Sequence, residues 1–267
     1  MTKQIAKAEE TGLVPFEEKM KAMATASAQQ EVGGSGGIIS LRGGILSYMG
    51  EPMPNNEMEV IVLGSSGEHT YYDTPFDPDR ITPPTCFSVF NLAQNAAPHE
   101  SVPTPEDEAC SGCWAHKFKS AENGRGRACS VRRRLALISS SALETEDGLE
   151  DADVAIMKVP PTSVSNWGAY VNKIAASYQR PPAMVVTRIK VSPHPKWQYV
   201  VDFEASELVE VELFEQITGM CSGVEGALLA PFDMTLPEEE EEEEVKPLKT
   251  DRKSKKKVIR KKSRGGR

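Results

Sequence analysis

The segment MEVIVLGSS, residues 58–66, predicts a buried β-strand, because its apolar residues run almost unbroken between polar ends. The segment RRRLALISSS, 132–141, predicts a second strand. GIISLRGGILSY, 37–48, has two short apolar runs around a Gly-Gly pair and suits a hairpin. Further strands are indicated by DVAIMKV at 153–159, AMVVTRIKV at 183–191 and WQYVVDFEA at 197–205, whereas EHTYYDTPFDPDRITPPTCFSVF at 68–90 is rich in turn-forming residues.

One helix stands out in SVSNWGAYVNKIAASYQRPP, residues 163–182, where apolar side chains recur at helical spacing and Pro181 ends the pattern. SELVEVELFEQITGM, 206–220, favours helix, with a strand as the alternative because its valines alternate with acids. The sequence therefore predicts a β-rich α+β fold with one main helix. We expect an OB-like barrel or a bent antiparallel sheet, interrupted by one long inserted loop.

Composition divides the chain into three parts. Residues 1–37 are polar, end in GGSGG and predict a flexible N-terminal segment. Residues 38–230 form the predicted nucleic-acid-binding domain, with a zinc-binding insertion at 86–134. Residues 231–267 predict a disordered tail, since seven consecutive Glu are followed by twelve Lys or Arg and one Asp.

The totals restrict the class of protein. The net charge of the whole chain is −8, so only a local basic surface can argue for nucleic-acid binding. The first residues lack the apolar core of a secretory signal, and no apolar run reaches the roughly 20 residues of a membrane helix. We therefore expect a cytoplasmic protein, whose five cysteines are thiols or metal ligands rather than disulfides.

A structural zinc site is the strongest prediction. Cys110 and Cys113 are a Cys-x2-Cys pair, whose spacing lets two thiolates approach one ion from a tight turn, and Cys129 follows at a distance typical of a zinc ribbon. The fourth ligand has three candidates: Cys86, His99 and His116. We favour Cys86, because it and Cys129 flank the insertion and a shared ion would close its base. Such a four-cysteine site has no open position for catalysis.

The same insertion concentrates positive charge and aromatic rings. Between Cys110 and Arg134, seven cations face one acid, Glu122. Arginine forks fit phosphates, and aromatic rings stack on unpaired bases, so the segment predicts a surface for single-stranded nucleic acid. The alternative is that the aromatics only cover the zinc loop. The predicted nucleic-acid-binding residues are Lys117, Lys119, Arg125, Arg127, Arg132, Arg133, Arg134, Trp114, Phe118 and Tyr72.

Other notable residues are assigned to the core. Trp167 and Tyr170 lie on the apolar stripe of the helix, Cys221 reads as a packed thiol, and Trp197 is expected in the core more than on a binding face. No G-x-S-x-G, P-loop lysine or H-E-x-x-H motif is present in the sequence. We therefore predict no catalytic residues and no enzyme.

The order PPTCF (83–87), PHES (98–101), CSGC (110–113), GRGRAC (124–129) and RRRLALI (132–138) resembles a family of bacteriophage proteins described as single-stranded DNA-binding proteins. The likeness continues through VPPTSVSNWGAYV and VVTRIKV, and covers about residues 38–205. This chain departs from the family pattern at Lys119-Ser120, and it has Arg125 and Arg127 in place of lysines. The resemblance implies a phage replication or recombination factor made in the cytoplasm of the infected bacterial host.

The predicted function is protection of single-stranded DNA during phage DNA replication or recombination. The alternative is a zinc-stabilised adaptor, in which the charged tail recruits a replication or transcription enzyme. A nuclease is a third hypothesis, although no spacing singles out a pair of carboxylates. A structural Zn²⁺ is the expected cofactor, and single-stranded DNA and phage or host replication proteins are the expected partners, without a membrane.

Overall fold

A computed structural model of the chain describes residues 37–75, 82–145 and 147–232. Nine strands and three α-helices make up this part. The strands are β1 Gly37–Ser40, β2 Ser47–Tyr48, β3 Glu51–Pro52, β4 Glu57–Tyr71, β5 Cys86–Phe90, β6 Ser130–Ser139, β7 Ala155–Val159, β8 Val185–His194 and β9 Gln198–Leu208. The helices are α1 Val164–Tyr178, α2 Phe214–Gly223 and α3 Glu225–Leu229.

All nine strands belong to one curled sheet with the order β3-β2-β1-β7-β6-β4-β8-β9, and β5 pairs with β4. The β-rich prediction is confirmed at this level. The sheet is mixed rather than antiparallel, however, because β1 pairs in parallel with β7. The described strands follow an open path, whereas an OB fold is a five-stranded Greek-key barrel.

Strand β4 organises the sheet. One edge of β4 pairs with β6 over Val60–Thr70, and the other edge pairs first with β8 over Glu57–Ile61 and then with β5 over Gly67–Tyr71. A register shift between Val62 and Gly64 separates these two halves. The prediction of turns from residue 68 onwards was wrong for residues 68–71, because residues 68–70 pair with both β5 and β6 and Tyr71 pairs with β5.

Both faces of the sheet centre are covered, which explains the unbroken apolar runs that the sequence showed. On one face, Trp167, Tyr170 and Ile174 of α1 pack over Val60 and Leu135. On the other face, side chains of α2 and α3 complete a second core, in which Ile217 and Leu228 join Ile61, Leu63, Ala136 and Ile138. The predicted main helix and its buried stripe are therefore confirmed.

Two local predictions need correction. Trp197 is 46% exposed beside the β8–β9 turn, stacked against His194, and is not a core residue. Residues 206–220 are only partly helical, since β9 continues to Leu208 and α2 begins at Phe214. The predicted hairpin around Gly43-Gly44 is present as the antiparallel pair β1–β2.

The predicted flexible N-terminal segment, apart from Gly37, and the predicted tail, apart from Pro231 and Phe232, lie outside the described residues. Among the helices of the described part, none has the length and apolar character needed to cross a membrane.

Candidate functional site

Strand β5, the insertion and the start of β6 place the four predicted ligand cysteines near one end of β4. Cys86 is the first residue of β5 and pairs with Tyr71 of β4. Cys110 donates its backbone N–H to the Ala96 carbonyl, and Cys113 caps a short 3-10 turn over Trp114–His116. Cys129 precedes β6 and donates its N–H to the Ala115 carbonyl at 2.9 Å. The insertion therefore begins and ends beside the same end of β4, on the two opposite edges of that strand.

These four cysteines line a single small cavity of about 20 Å³. Its other lining residues include Ser88 and Phe87 of β5, His69 and Tyr71 of β4, and Ala115 and His116 of the insertion. All four cysteines are free thiols. A volume of this size accommodates about one water molecule, or one ion of similar size.

Electrostatics within the cavity reflect the crowding of four thiols. The pKa of Cys129 is raised to about 12, mainly by burial and to a smaller extent by the neighbouring charges of Cys110, Cys86 and Cys113. The pKa of Cys110 is raised by burial and then by the neighbouring charges of Cys86 and Cys113. Burial also raises the pKa of Cys86. A nearby divalent cation would reverse these shifts, because it stabilises thiolates.

Among the three candidates for a fourth ligand, Cys86 and His116 line the cavity with the cysteine triplet, whereas His99 is not among its lining residues. The His99 ring stacks on Phe87, and its Nδ1 lies 2.9 Å from the Ser101 hydroxyl. As placed, however, no group of three or more Cys, His, Asp or Glu side chains in the described part of the chain is arranged to hold a metal ion. The zinc site therefore stays a prediction, with the donor set gathered around one cavity.

A buried histidine that the sequence interpretation missed also faces this cavity. His69 in β4 is 7% exposed, and its ring lies against the His116 ring with centroids 4.7 Å apart. Burial lowers the pKa of His69 to about 4, and the positive charges of His116, Arg133 and Arg127 act in the same direction. The sequence carried no signal for this histidine, because its burial results from the pairing of β4 with β5 and β6, and the segment itself is rich in turn-forming residues.

The outer surface of the insertion is exposed and carries the predicted aromatic residues. Phe118 is 70% exposed and Trp114 is 45% exposed. Trp114 meets Tyr71 edge to face at 5.5 Å between ring centroids, and its Nε1 donates to Glu106 at 2.8 Å. Tyr72, 44% exposed, lies close enough to Arg132 for that guanidinium to lower the pKa of its phenol, although burial has the larger effect and raises it.

Four predicted cations of the insertion are exposed: Lys117, Lys119, Arg125 and Arg127. Within the described residues, Lys117, Lys119 and Arg125 have no carboxylate within salt-bridge distance. Arg127 lies 3.2 Å from His116 Nε2. These cations are therefore available to an anion outside the chain.

The three arginines at the start of β6 are less exposed than the predicted phosphate contacts should be. Arg134 is 4% exposed and pairs with the fully buried Glu68, so its assignment as a phosphate contact is wrong. Arg132 and Arg133 are half-buried, and Arg132 also lies 3.9 Å from Glu68. Arg132 and Arg134 share one face of β6, where both approach Glu68, and Arg133 lies on the other face. Arg134 is more deeply buried than Arg132 because it also donates to the carbonyl groups of Leu228 and Ala230.

Hydrogen bonds within the insertion hold the basic loop in a defined shape. The Ser120 hydroxyl donates to the Ala115 carbonyl at 2.9 Å and accepts from the Ala128 N–H at 2.9 Å. Gly124 and Gly126 adopt φ of +66° and +81°, values that favour glycine, so they let the chain turn on either side of Arg125. The exposed guanidinium of Arg125 therefore lies on a tight turn within a loop that hydrogen bonds hold in place.

Comparison of the chain with protein-family models, with curated proteins and with solved structures finds no match.

Proposed function

We propose that this chain is a non-enzymatic protein that binds single-stranded DNA through the exposed surface of its insertion, residues 114–127. The observation that supports this proposal is the combination of exposed aromatic rings and unpaired cations on one loop that is held in shape by hydrogen bonds. Phe118 and Trp114 offer aromatic surface to solvent, and Lys117, Lys119 and Arg125 have no acidic partner among the described residues.

The chemistry of this surface suits a single strand better than a duplex. Cations attract the phosphate backbone regardless of sequence, and each aromatic face can stack on one unpaired base. Bases in a duplex are already stacked on each other, so the rings would find no partner there. The function that this chemistry supports is shielding of single strands, with little sequence preference, in the phage DNA replication or recombination that the family resemblance implies.

A structural Zn²⁺ is part of the proposal. Cys86, Cys110, Cys113 and Cys129 would hold it, since thiolates are preferred zinc ligands and these four line one cavity of suitable size. Zinc would join β5, the insertion and the start of β6, and would neutralise thiolate charge in a buried place. The insertion has few buried apolar side chains, among them Val102 and Ala115. Zinc binding would therefore contribute much of the stability of the folded insertion.

The decisive experiment measures binding of labelled oligo-dT and of a matched duplex by the full chain, as a function of salt, with zinc content determined on the same sample. We expect oligo-dT to bind more tightly than the duplex and to weaken steeply as salt rises. Tryptophan fluorescence reports the site, because Trp114 belongs to the proposed surface. Trp197→Phe is the matched control, since Trp197 is equally exposed but lies at the β8–β9 turn, by the opposite end of β4.

The outcomes separate the hypotheses. Quenching by oligo-dT that persists in Trp197→Phe but is lost in Trp114→Phe supports the proposal. The absence of any binding at low salt overturns it in favour of the adaptor. Metal-dependent shortening of the labelled strand would instead indicate a nuclease.

A further inference from the structure

The cavity that the four cysteines line also contains two imidazole rings with unsatisfied nitrogen atoms. The Nδ1 atoms of both His69 and His116 are buried and have no hydrogen-bond partner. His69 as a whole is 7% exposed, so its Nδ1 is shielded from bulk solvent. Buried polar atoms without partners are rare and costly, so both rings need a partner that the uncharged thiols of the cavity do not provide.

The neighbours of His116 determine which of its nitrogen atoms carries the proton. Its Nε2 lies 3.2 Å from Nη1 of Arg127. A guanidinium has only N–H donors and keeps its charge, so Nε2 must be the acceptor in this pair. In the neutral imidazole the single proton then lies on Nδ1. The unsatisfied atom is therefore an N–H donor, and it needs an acceptor. Its cavity is lined by the four cysteines and also by Ser88, Glu106 and Asp107.

We propose that His116 and His69 donate hydrogen bonds from Nδ1 to cysteine thiolates of the metal-bound centre, and so act as positioning residues that set its affinity for zinc. This inference rests on the zinc site proposed above. Four thiolates on one Zn²⁺ carry a net charge of about −2, which is costly in a buried cavity. Two N–H donors would offset part of that charge, as the outer hydrogen bonds of zinc sites commonly do.

A role as hydrogen-bond donors fits better than direct ligation. Four cysteines already fill the tetrahedral set that structural zinc takes, and a fifth or sixth protein ligand is foreign to such sites. The His69 and His116 rings also contact each other, with centroids 4.7 Å apart and ring planes tilted by 38°. Their contact with each other and the Arg127 contact of His116 fix the rings at the edge of the cysteine cluster.

The test uses all four histidines of the chain, because the other two are matched controls. His99 stacks on Phe87 and His194 stacks on Trp197, and neither lines the cavity. His→Phe at each position keeps an aromatic ring but removes both nitrogen atoms. His69→Asn and His116→Asn place an amide N–H close to the position of Nδ1, and therefore preserve the proposed donor.

Zinc affinity is measured by competition with a chromophoric chelator, without DNA, so that the result is independent of nucleic-acid binding. We expect His69→Phe and His116→Phe to weaken zinc binding by about 10- to 100-fold, a typical effect of removing such partners. We expect both Asn variants to stay within about threefold of the wild type, and His99→Phe and His194→Phe to be unchanged. In the Co²⁺-substituted protein, the thiolate charge-transfer bands should indicate four sulfur ligands in every variant.

Two results would overturn the inference while leaving the zinc site intact. One is zinc affinity in His69→Phe and His116→Phe equal to that of the two control variants. The other is a wild-type cobalt spectrum with fewer than four thiolates that changes in His116→Phe, which would make His116 a ligand. A wild-type protein that binds no zinc would overturn both this inference and the zinc part of the proposed function, whereas loss of DNA binding with normal zinc affinity would concern the proposed function alone.

Discussion

Arg134 Nε donates a 2.6 Å hydrogen bond to Glu68 Oε2, and both side chains are almost completely shielded from solvent. Lys158 Nζ lies 3.2 Å from the same carboxylate oxygen. Arg134 also donates to the carbonyl group of Leu228, in the last turn of α3, and to that of Ala230, the residue after the helix. A cation that the sequence places within a basic surface is therefore a structural element of the sheet.

This pair predicts that Arg134 and Arg125 have opposite roles. Arg134→Met should lower the free energy of unfolding by about 3–5 kcal/mol, because it leaves the carboxylate of Glu68 buried with fewer partners. Arg125→Met should leave stability unchanged and weaken oligo-dT binding, since Arg125 is exposed. Urea denaturation and fluorescence anisotropy measure the two effects. Equal stability of the two variants would contradict the assignment.

Phe118 is expected to contribute by stacking alone. Its ring is 70% exposed, so Phe118→Ala removes little packing from the protein. Loss of one base-stacking partner should weaken oligo-dT binding by about 1–3 kcal/mol at fixed salt, with an unchanged melting temperature. Phe118→Tyr should bind like the wild type. Phe214→Ala, which removes a 45%-exposed ring from α2, is the control, and a similar loss of binding there would argue against a site on the insertion.

The three unpaired cations are expected to determine the salt dependence of binding. If Lys117, Lys119 and Arg125 each contact one phosphate, their combined change to Gln should reduce the slope of log K against log salt by about 2, at roughly 0.7 per contact on a single strand. The matched control replaces the exposed cations Arg42, Lys173 and Lys196, which lie outside the insertion. An equal change of slope in the control would mean that binding follows overall charge rather than this surface.

The sequence predicted those parts of the fold that depend on local pattern. The helical spacing of Trp167, Tyr170 and Ile174 identified α1, and the apolar runs identified β4 and β6. The partners of these elements were not predictable, because the parallel pairing of β1 with β7 joins residues more than a hundred positions apart. The same holds for β4 beyond Gly67, whose turn-forming residues become a strand only because β5 and β6 lie on either side.

For the candidate site, spacing identified four cysteines that line one cavity, but it did not identify their surroundings. Cys86, Cys110, Cys113 and Cys129 line one cavity, as expected from their positions around the insertion. The roles of His69 and Arg134 were hidden because each depends on which face of a strand its side chain occupies. A run of three arginines gives no indication of which one will meet Glu68 across the sheet.

Glycine 67 is expected to be needed for packing beside the cysteine cavity. A Cβ atom at this position would lie 2.3 Å from Cζ of Phe90, whose ring also contacts His69 edge to face. Gly67→Ala should therefore destabilise the protein by about 1–3 kcal/mol, as overpacking does. Gly168→Ala, in an exposed and uncrowded position of α1, should stabilise it by about 0.5–1 kcal/mol. Thermal melts of both variants provide the comparison, and an unaffected Gly67→Ala protein would contradict this packing.

Zinc binding is expected to release protons and to strengthen as pH rises. Burial raises the pKa of Cys86, Cys110 and Cys129, the last to about 12, so these thiols keep their protons at neutral pH in the metal-free protein. All four proposed ligand thiols, these three and Cys113, must be deprotonated to bind zinc, so about four protons should be released per ion. Calorimetric titration in two buffers of different ionisation enthalpy measures this number.

The same raised pKa values give opposite pH dependences of stability with and without zinc. In the metal-free protein the unfolded chain loses these protons first, so stability that is present below the ordinary thiol pKa should fall as pH rises towards about 12. In the zinc-bound protein, stability should fall on acidification instead, because protons compete with the metal.

Cys86→Ser should lower the proton release on zinc binding to about three and weaken zinc binding. Cys221→Ser, outside the cavity, should change neither, and a release close to one proton in the wild type would exclude a four-thiolate site.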